Sequence, residues 1–335
     1  MKVMDGLEGK DDDLYRIFDE VFIYIAKNDS LERLLGCNFQ NVEDVFGLLD
    51  LEARVLPASS KTRDALLRLI LETLARTIKP EGQQKTAIAC DSLTDVAELE
   101  STPLEMLVSL VANRCNDKLP NLPCSNTIIS LNYDTLVEQA MRSTGVLEPD
   151  YGTQELSDHF SVPPRARIRL LKLHGSMNWR TCSGCGKVRD VGLSASVTES
   201  ENCCGTTMLP LIVPPSWDKG IYAPALRHIW QQAFASLKIA RHWVFIGTSL
   251  PPTDNYLRNL FALALRHNLW LRHVTILDTG EAENIRKLFE NRTSRIHVEP
   301  LRQEMRLALG APSSPSPLFR HLQCFAQAKD RPFAW

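Results

Sequence analysis

The sequence predicts an α/β protein: a doubly wound parallel sheet with a helical N-terminal portion and a small inserted cysteine ribbon. Three observations carry that expectation. From Trp243 onward, short apolar runs alternate with single helical patterns: strand 243–247, helix 254–268, strand 273–277, helix 281–291 and strand 295–299. Strands separated by single helices pair in parallel through right-handed crossovers. Upstream, Thr127–Tyr133 is a short apolar run rich in β-branched residues, and Ile168, Leu170, Leu171 and Leu173 form a buried strand that ends abruptly in His174-Gly175. Residues 1–120 read as helices throughout. The organisation expected is therefore a helical portion (1–120), a sheet core (121–309) with the cysteine segment inserted at about 180–206, and a linker with C-terminal tail (310–335).

In chain order, Leu14, Ile17, Phe18, Val21, Phe22 and Ile25 recur at helical spacing. Asp29-Ser30 reads as a cap for a helix with Leu31, Leu34 and Leu35 inside, and Asn41 as a cap for the next. Thr62–Ile78 is an amphipathic helix stopped by Pro80-Glu81-Gly82, and Pro103 opens another over Leu104–Asn116. A helix from Asp134 to Arg142 follows the first strand, and Pro163-Pro164 precedes the second. Leu209-Pro-Leu-Ile-Val-Pro-Pro is extended, and Ala223–Ala240 is a helix leading into Trp243-Val-Phe-Ile-Gly. Gly310–Pro317 reads as a linker or loop.

The totals narrow the partners. The chain has 335 residues, 44% apolar and 23% charged, which is ordinary for a globular protein able to bury a sizeable core. A net charge of -2 with pI near 6.5 gives no electrostatic case for nucleic acid or an anionic membrane. The acidic opening MKVMDGLEGKDDD lacks the features of a secretory signal, and no run approaches the ~18 apolar residues of a membrane span, so a cytoplasmic location is expected. Nine cysteines in such a chain are no disulfide framework; in a reducing compartment a local cluster points to metal.

Open parallel sheets bind ligands beyond the carboxyl ends of their strands. Four strand ends here carry distinctive residues: Asn132 with Asp134, His174 with Gly175, Gly247-Thr248-Ser249, and Asp278. Gly247, Thr248 and Ser249 offer hydroxyls and N–H groups near a helix start, where the helix dipole favours anions such as a diphosphate. Asp278, 31 residues beyond Gly247, can accept hydrogen bonds from ribose hydroxyls. Thr248-Ser249 also reads as a plain turn, Asp278 as a cap for the helix near Glu281, and Asp134 as a cap for its own helix. Asparagine is disfavoured inside a buried strand, which singles out Asn132. A histidine at the mouth of a strand, followed by a glycine that lets the backbone turn, is placed for general-base work, though a lone histidine is more often structural.

The cysteine segment is rich in Ser, Gly and Thr and cannot build its own core, so it needs a staple. Cys182-x2-Cys185 is a knuckle whose glycines let the thiolates converge, and Cys203-Cys204 follows 17 residues after Cys185. Four thiolates from two knuckles suit structural zinc. The second knuckle departs from C-x-x-C spacing, Glu201 standing where its first cysteine would be, so whether Cys203, Cys204 or both bind is open. A degenerate ribbon without metal is the alternative. With only Arg180, Lys187 and Arg189 as cations, the ribbon is a poor nucleic-acid reader.

The ordered set SLNYD, LHGSMNW, the C-x-x-C knuckle, LPLIVPP and FIGTSLPPTDNYLRNLF resembles the sirtuin-like family over roughly residues 125–300. It most resembles the family's divergent bacterial branch, many of whose members are fused to other modules or act in defence against phage. The resemblance implies a Rossmann-type sheet, a small zinc ribbon and NAD+ as cosubstrate. It implies that His174 is a general base acting on a ribose hydroxyl, that Asn132 lines the nicotinamide-ribose pocket, and that Asp134 lies near the carboxamide. Gly247, Thr248 and Ser249 then match the GTS that contacts phosphate and ribose. Two departures stand out. The family's strand and Gly-Ala-Gly-x-Ser loop before the first helices are missing, Gly6 and Gly9 lying in a charged stretch, which leads to the expectation of about 20–30 further residues upstream of Met1. ILDTG also lacks the asparagine that deacylating members carry for adenosine. The activity expected is cleavage of the nicotinamide–ribose bond, as NAD+ hydrolysis in preference to protein deacylation. The alternative of another class is a non-catalytic module that binds a protein partner or a second copy.

Overall fold

The structure is a computed structural model, and it describes residues 12–27, 42–56, 60–77, 102–116, 126–144, 147–153, 156, 166–182, 184–193, 202–213, 223–248, 250, 254–278, 283–290 and 296–301. The expected helix over 31–35, the stops at Pro80–Gly82 and Pro163-Pro164, Ser249, and the linker and tail from 310 lie outside these. The chain divides into two compact units. The first comprises Met1–Pro80, Leu131–Thr135 and His174–Arg227; the second comprises Glu81–Ser130, Leu136–Leu173 and His228–Trp335.

In the first unit, α1 (Asp12–Lys27), α2 (Val42–Val55) and α3 (Ser60–Thr77) pack together. Their apolar stripes meet in a cluster of Val21, Val45, Phe46, Leu49, Ala65 and Leu66, with Ile17 and Ile25 against it as the helical spacing requires. Phe22 departs from the expectation: it is 60% exposed, and Tyr24 turns inward instead, its hydroxyl donating to Glu52 at 2.6 Å. Tyrosine can do so because its polar tip finds a partner while its ring is buried. Burial and that carboxylate push the Tyr24 phenol well above its ordinary pKa.

The same unit holds a four-stranded antiparallel sheet in the order β5-β4-β7-β6, with β4 Gly175–Cys182, β5 Val188–Asp190, β6 Asn202–Cys203 and β7 Thr206–Ile212. Of the extended LPLIVPP stretch, Leu209–Ile212 belong to the inner strand β7 and Val213 follows it, while Pro214-Pro215 lie outside the described residues. Pro210 lies opposite Arg180 of β4 and beyond Thr206 and Thr207, the β7 residues that pair with β6, so on that side it has no paired strand among the described residues.

The second unit carries the parallel sheets. In one, β3 (Ala166–Lys172) lies between β1 (Thr127–Ser130) and β2 (Leu147–Asp150), all parallel. Ile168, Leu170 and Leu171 of β3 are fully buried, which is why this central strand reads as continuous apolar sequence. In the other, β9 (His273–Leu277) lies between β8 (His242–Ile246) and β10 (His297–Leu301), again parallel. Among the described residues β1 and β8 each have one sheet neighbour. The helices are α4 (Pro103–Asn116), α5 (Leu136–Ser143), α6 (Ala223–Ile239, in this unit from His228), α7 (Asn255–His267) and the short α8 (Glu283–Lys287).

Local chemistry sets the helix starts. Thr102 and Glu105 form a capping box at α4, each side chain accepting from the other's backbone N–H (2.8 and 3.3 Å). Asp254 caps α7, accepting from Leu257 N at 3.1 Å. Asn268 closes the turn after α7: its amide donates to Leu237 O and Ala240 O (2.6 and 2.8 Å), and its carbonyl accepts from Trp270 N and Leu271 N (2.7 Å each). The start of β1 and the start of β8 both meet the end of α6. Thr127 Oγ1 donates to Ser236 Oγ at 3.3 Å, and Trp243 Nε1 donates to Leu237 O at 3.2 Å.

Candidate active site and cysteine ribbon

The site residues in the first unit occupy the loop Leu131–Thr135 and the turn from which β4 departs. His174 is buried, 8% exposed. Its Nδ1 lies 3.1 Å from Leu131 O. A carbonyl oxygen only accepts, so Nδ1 carries the proton and the lone pair of the neutral imidazole resides on Nε2. Val213 N donates to the His174 carbonyl at 2.8 Å, so the backbone is held as well as the ring. Gly175 adopts φ +81°, and a Cβ there would stand 2.0 Å from Leu211 O. The glycine after the histidine is therefore required twice, by a left-handed backbone and by the close approach of β7.

Asn132 lies beyond the end of β1, in the loop, and is exposed. Its selection as an odd residue within a buried strand does not hold, since β1 stops at Ser130. Its placement rests instead on Tyr133 beside it. Met177 N donates to Tyr133 O at 2.9 Å, the Tyr133 hydroxyl donates to Val213 O at 2.8 Å, and the Tyr133 and His174 rings lie 6.3 Å apart. Asp134 is half-buried in the same loop, and α5 begins two residues later at Leu136. The structure thus brings Asn132, Asp134, His174 and Gly175 into one unit.

Gly247, Thr248 and Asp278 belong to the second unit. Gly247 ends β8 with φ +58°, is exposed, and its N–H donates to Leu277 O at 2.9 Å. That bond joins the end of β8 to the residue before Asp278, so the two candidate strand ends lie side by side. Thr248 and Asp278 are half-buried. Leu250 is buried with φ +47°, a conformation costly for a side chain of that size. Nothing in the spelling of that leucine announces it.

The four ribbon cysteines converge. Cys182, Cys185, Cys203 and Cys204 have their sulfurs all within 4.8 Å of one another. Cys182 and Cys204 are 3.4 Å apart, Cys185 and Cys203 3.7 Å. Zn–S bonds of about 2.3 Å in tetrahedral geometry put sulfurs about 3.8 Å apart, so this set fits one zinc with all four as ligands. The adjacent pair is reconciled by the turn: Cys204 at φ +45° and Gly205 at φ +80° swing the two side chains to one side. The Thr206 hydroxyl, 3.1 Å from the Cys182 sulfur, and the Cys185 backbone hold the Cys182 thiol down at about 6. Cys185 pushes Cys203 up to about 11, and Cys182 pushes Cys204 up. Arg180, counted above as a surface cation, is 1% exposed and donates to Met177 O and Trp179 O (2.7 and 3.0 Å), which weakens the nucleic-acid reading further.

A family model described as a SIR2-like domain matches residues 126–297, just more than half of the chain. The chain belongs to the SIR2-like family. Solved structures similar to it include a Sir2 homologue in complex with 2'-O-acetyl ADP ribose (15% identity, 68% of this chain and 69% of that chain, TM-score 0.40). They also include a Sir2 homologue–NAD complex (14%, 70% and 68%, TM-score 0.37). A third is Sir2 bound to an inhibitor, 2'-O-acetyl-ADP-ribose and a deacetylated peptide (14%, 89% and 89%, TM-score 0.40). No curated protein matches. The SIR2-like match spans β1 to the first residue of β10, so both candidate loops of the first unit, the ribbon, and the strand ends at Gly247 and Asp278 all fall within it. Among the described residues no helix is long and apolar enough to cross a membrane.

Proposed function

We propose that this SIR2-like chain cleaves NAD+ at the nicotinamide–ribose bond and passes the ADP-ribose to water. The observation that carries the reading is the His174 Nδ1 contact to Leu131 O, which leaves Nε2 as the basic nitrogen at the mouth of β3. As the glycosidic C–N bond breaks, its electron pair leaves with nicotinamide and positive charge develops on the ribose. Water then bonds to the anomeric carbon, and its proton passes to His174 Nε2 and on to solvent. Asn132, exposed in the adjoining loop, holds ribose and water, and Asp134 serves the carboxamide. Gly247, Thr248 and Ser249 receive phosphate, and Asp278 a ribose hydroxyl. The ribbon zinc, held by Cys182, Cys185, Cys203 and Cys204, is structural in this scheme. Water is preferred to acyl-lysine as acceptor on the resemblance to the divergent branch and on the missing asparagine after β9.

The test is nicotinamide release from NAD+ by the full chain. His174→Ala and Asn132→Ala should each lower turnover by at least ~100-fold while the protein stays folded. Wild-type turnover in His174→Ala would overturn the assignment of the base. Release that depends on an acetylated peptide would move the reading to deacylation.

A further inference from the structure

We propose that Asp190, Asn178 and Ser176 form a positioning chain that fixes the Leu131–Tyr133 loop, and through it the tautomer of His174, from the hairpin that also carries the first cysteine knuckle. The proposal deepens the hydrolase reading and rests on it only for the kinetic half of its test. All three residues are buried, at 4%, 4% and 0% exposure, on strands whose other buried residues are mostly apolar. Burying such groups is costly unless they are hydrogen-bonded, and each of these is. Asp190 Oδ1 accepts from Asn178 Nδ2 at 2.8 Å and from Gly192 N at 2.8 Å. A carboxylate only accepts, so the Asn178 amide nitrogen faces Asp190 and its oxygen faces the other way. That oxygen accepts from the Ser176 hydroxyl at 2.5 Å. The hydroxyl's single proton is thereby engaged, and although it lies 3.3 Å from Tyr133 O, the donor to that carbonyl is the next backbone N–H, Met177 N, at 2.9 Å. From Tyr133 the loop runs two residues back to Leu131, whose carbonyl takes the His174 Nδ1 proton.

The far end of the chain is anchored in the ribbon. Asp190 is the last residue of β5, paired with Trp179 of β4, and Val191 N donates to Asn178 O at 2.8 Å. Cys182 N donates to Lys187 O at 2.9 Å, and Gly186 N to Cys182 O at 2.8 Å, so the knuckle turn and the β5 strand share one ladder. The buried alternation Ser176, Asn178 and Arg180 along β4 therefore places polar groups where a purely structural hairpin would place apolar ones. None of the three is a catalytic residue: Ser176, held by Asn178, fixes the strand backbone whose next N–H, that of Met177, bonds Tyr133 O, and the others act through Ser176.

The experiment measures kcat and KM for nicotinamide release together with the imidazole nitrogen resonances of His174, identified by their loss in His174→Ala. Ser176→Ala and Asp190→Ala are compared with Asp190→Asn, whose amide oxygen can still accept from Asn178 and Gly192. The expected result is a fall in kcat of about 10- to 100-fold for both alanine variants, the size that ~1 Å misplacement of a reacting group produces. KM should change much less. The neutral His174 ring should lose its single Nδ1–H tautomer in both alanine variants, and Asp190→Asn should recover tautomer and kcat. Should Asp190→Ala fail to fold, Ser176→Ala, which removes one hydroxyl, carries the test. Wild-type His174 resonances and kcat in Ser176→Ala would overturn the proposal. A wild-type protein that releases no nicotinamide would instead overturn the hydrolase reading, and the resonances would then decide the positioning chain alone.

Discussion

Lys172 and Glu138 make the strongest single stability prediction. Lys172 is the last residue of β3 and Glu138 lies in the first turn of α5; both side chains are 1% exposed, and Nζ donates to Oε1 at 2.9 Å. Taking either charge out of water costs several kcal/mol, and the opposite charge beside it offsets much of that cost. Replacing one partner leaves the other buried without that counter-charge, so Glu138→Leu or Lys172→Met should destabilise by about 3–5 kcal/mol. At about 2–4 °C per kcal/mol for a domain of this size, the melting temperature should fall by about 6–20 °C. The double replacement Lys172→Met with Glu138→Leu removes both charges and should return most of that loss. Urea unfolding of the four proteins gives the coupling energy directly. A loss under about 1 kcal/mol for either single variant would show that water reaches the pair, and the argument from burial would fail. The pair matters beyond stability: α5 begins just after the Asn132–Asp134 loop, and His174 follows Lys172 by two residues.

Further outcomes are expected at two glycines and at the cysteine ribbon. Gly175→Ala should cost at least about 3 kcal/mol in urea unfolding, because its Cβ meets Leu211 O at 2.0 Å. Gly247→Ala, with no atom within 4 Å of its Cβ and φ +58°, should cost only about 1–2 kcal/mol. The purified protein should hold one zinc per chain, and a chelator should open residues 180–206 to protease, both checked by metal analysis and limited proteolysis. Zinc uptake at pH 7, followed by calorimetry in buffers of different ionisation enthalpy, should release protons from Cys203 and Cys204, whose pKa values are raised, and few from Cys182, already thiolate with a pKa of about 6. Because the Cys182 value is depressed, its thiolate persists through neutral pH and is protonated as pH falls through about 6, so zinc retention should weaken below that point.

Elements whose sequence carries one dominant force were legible. The run from Trp243 is apolar because β8 and β9 bury it, and the expected strand 243–247 lies one residue from the observed His242–Ile246. The strand 273–277 coincides with His273–Leu277, and the helix 254–268 differs from Asn255–His267 only by its cap at either end. What stayed hidden was held by contacts between residues that local pattern does not connect. Strand β2 is spelled Leu-Glu-Pro-Asp, a turn by composition; it is a strand because it lies at the edge of its sheet beside β3, where a proline is tolerated. The helix expected over 281–291 is observed as Glu283–Lys287, followed by tighter turns from Leu288. The site divides the same way. His174-Gly175 and the C-x-x-C knuckle are local spellings of local geometry, and reading them needs only neighbours in the chain. Ser176, Asn178 and Asp190 look like polar residues in a polar stretch, and only the folded β4–β5 hairpin shows that they are buried and bonded in sequence. Functional groups that touch a ligand are constrained by chemistry and so leave a motif. Groups that hold them in place are constrained by the fold, and a hydrogen bond from Asn178 to Asp190 needs the strands before it can be seen.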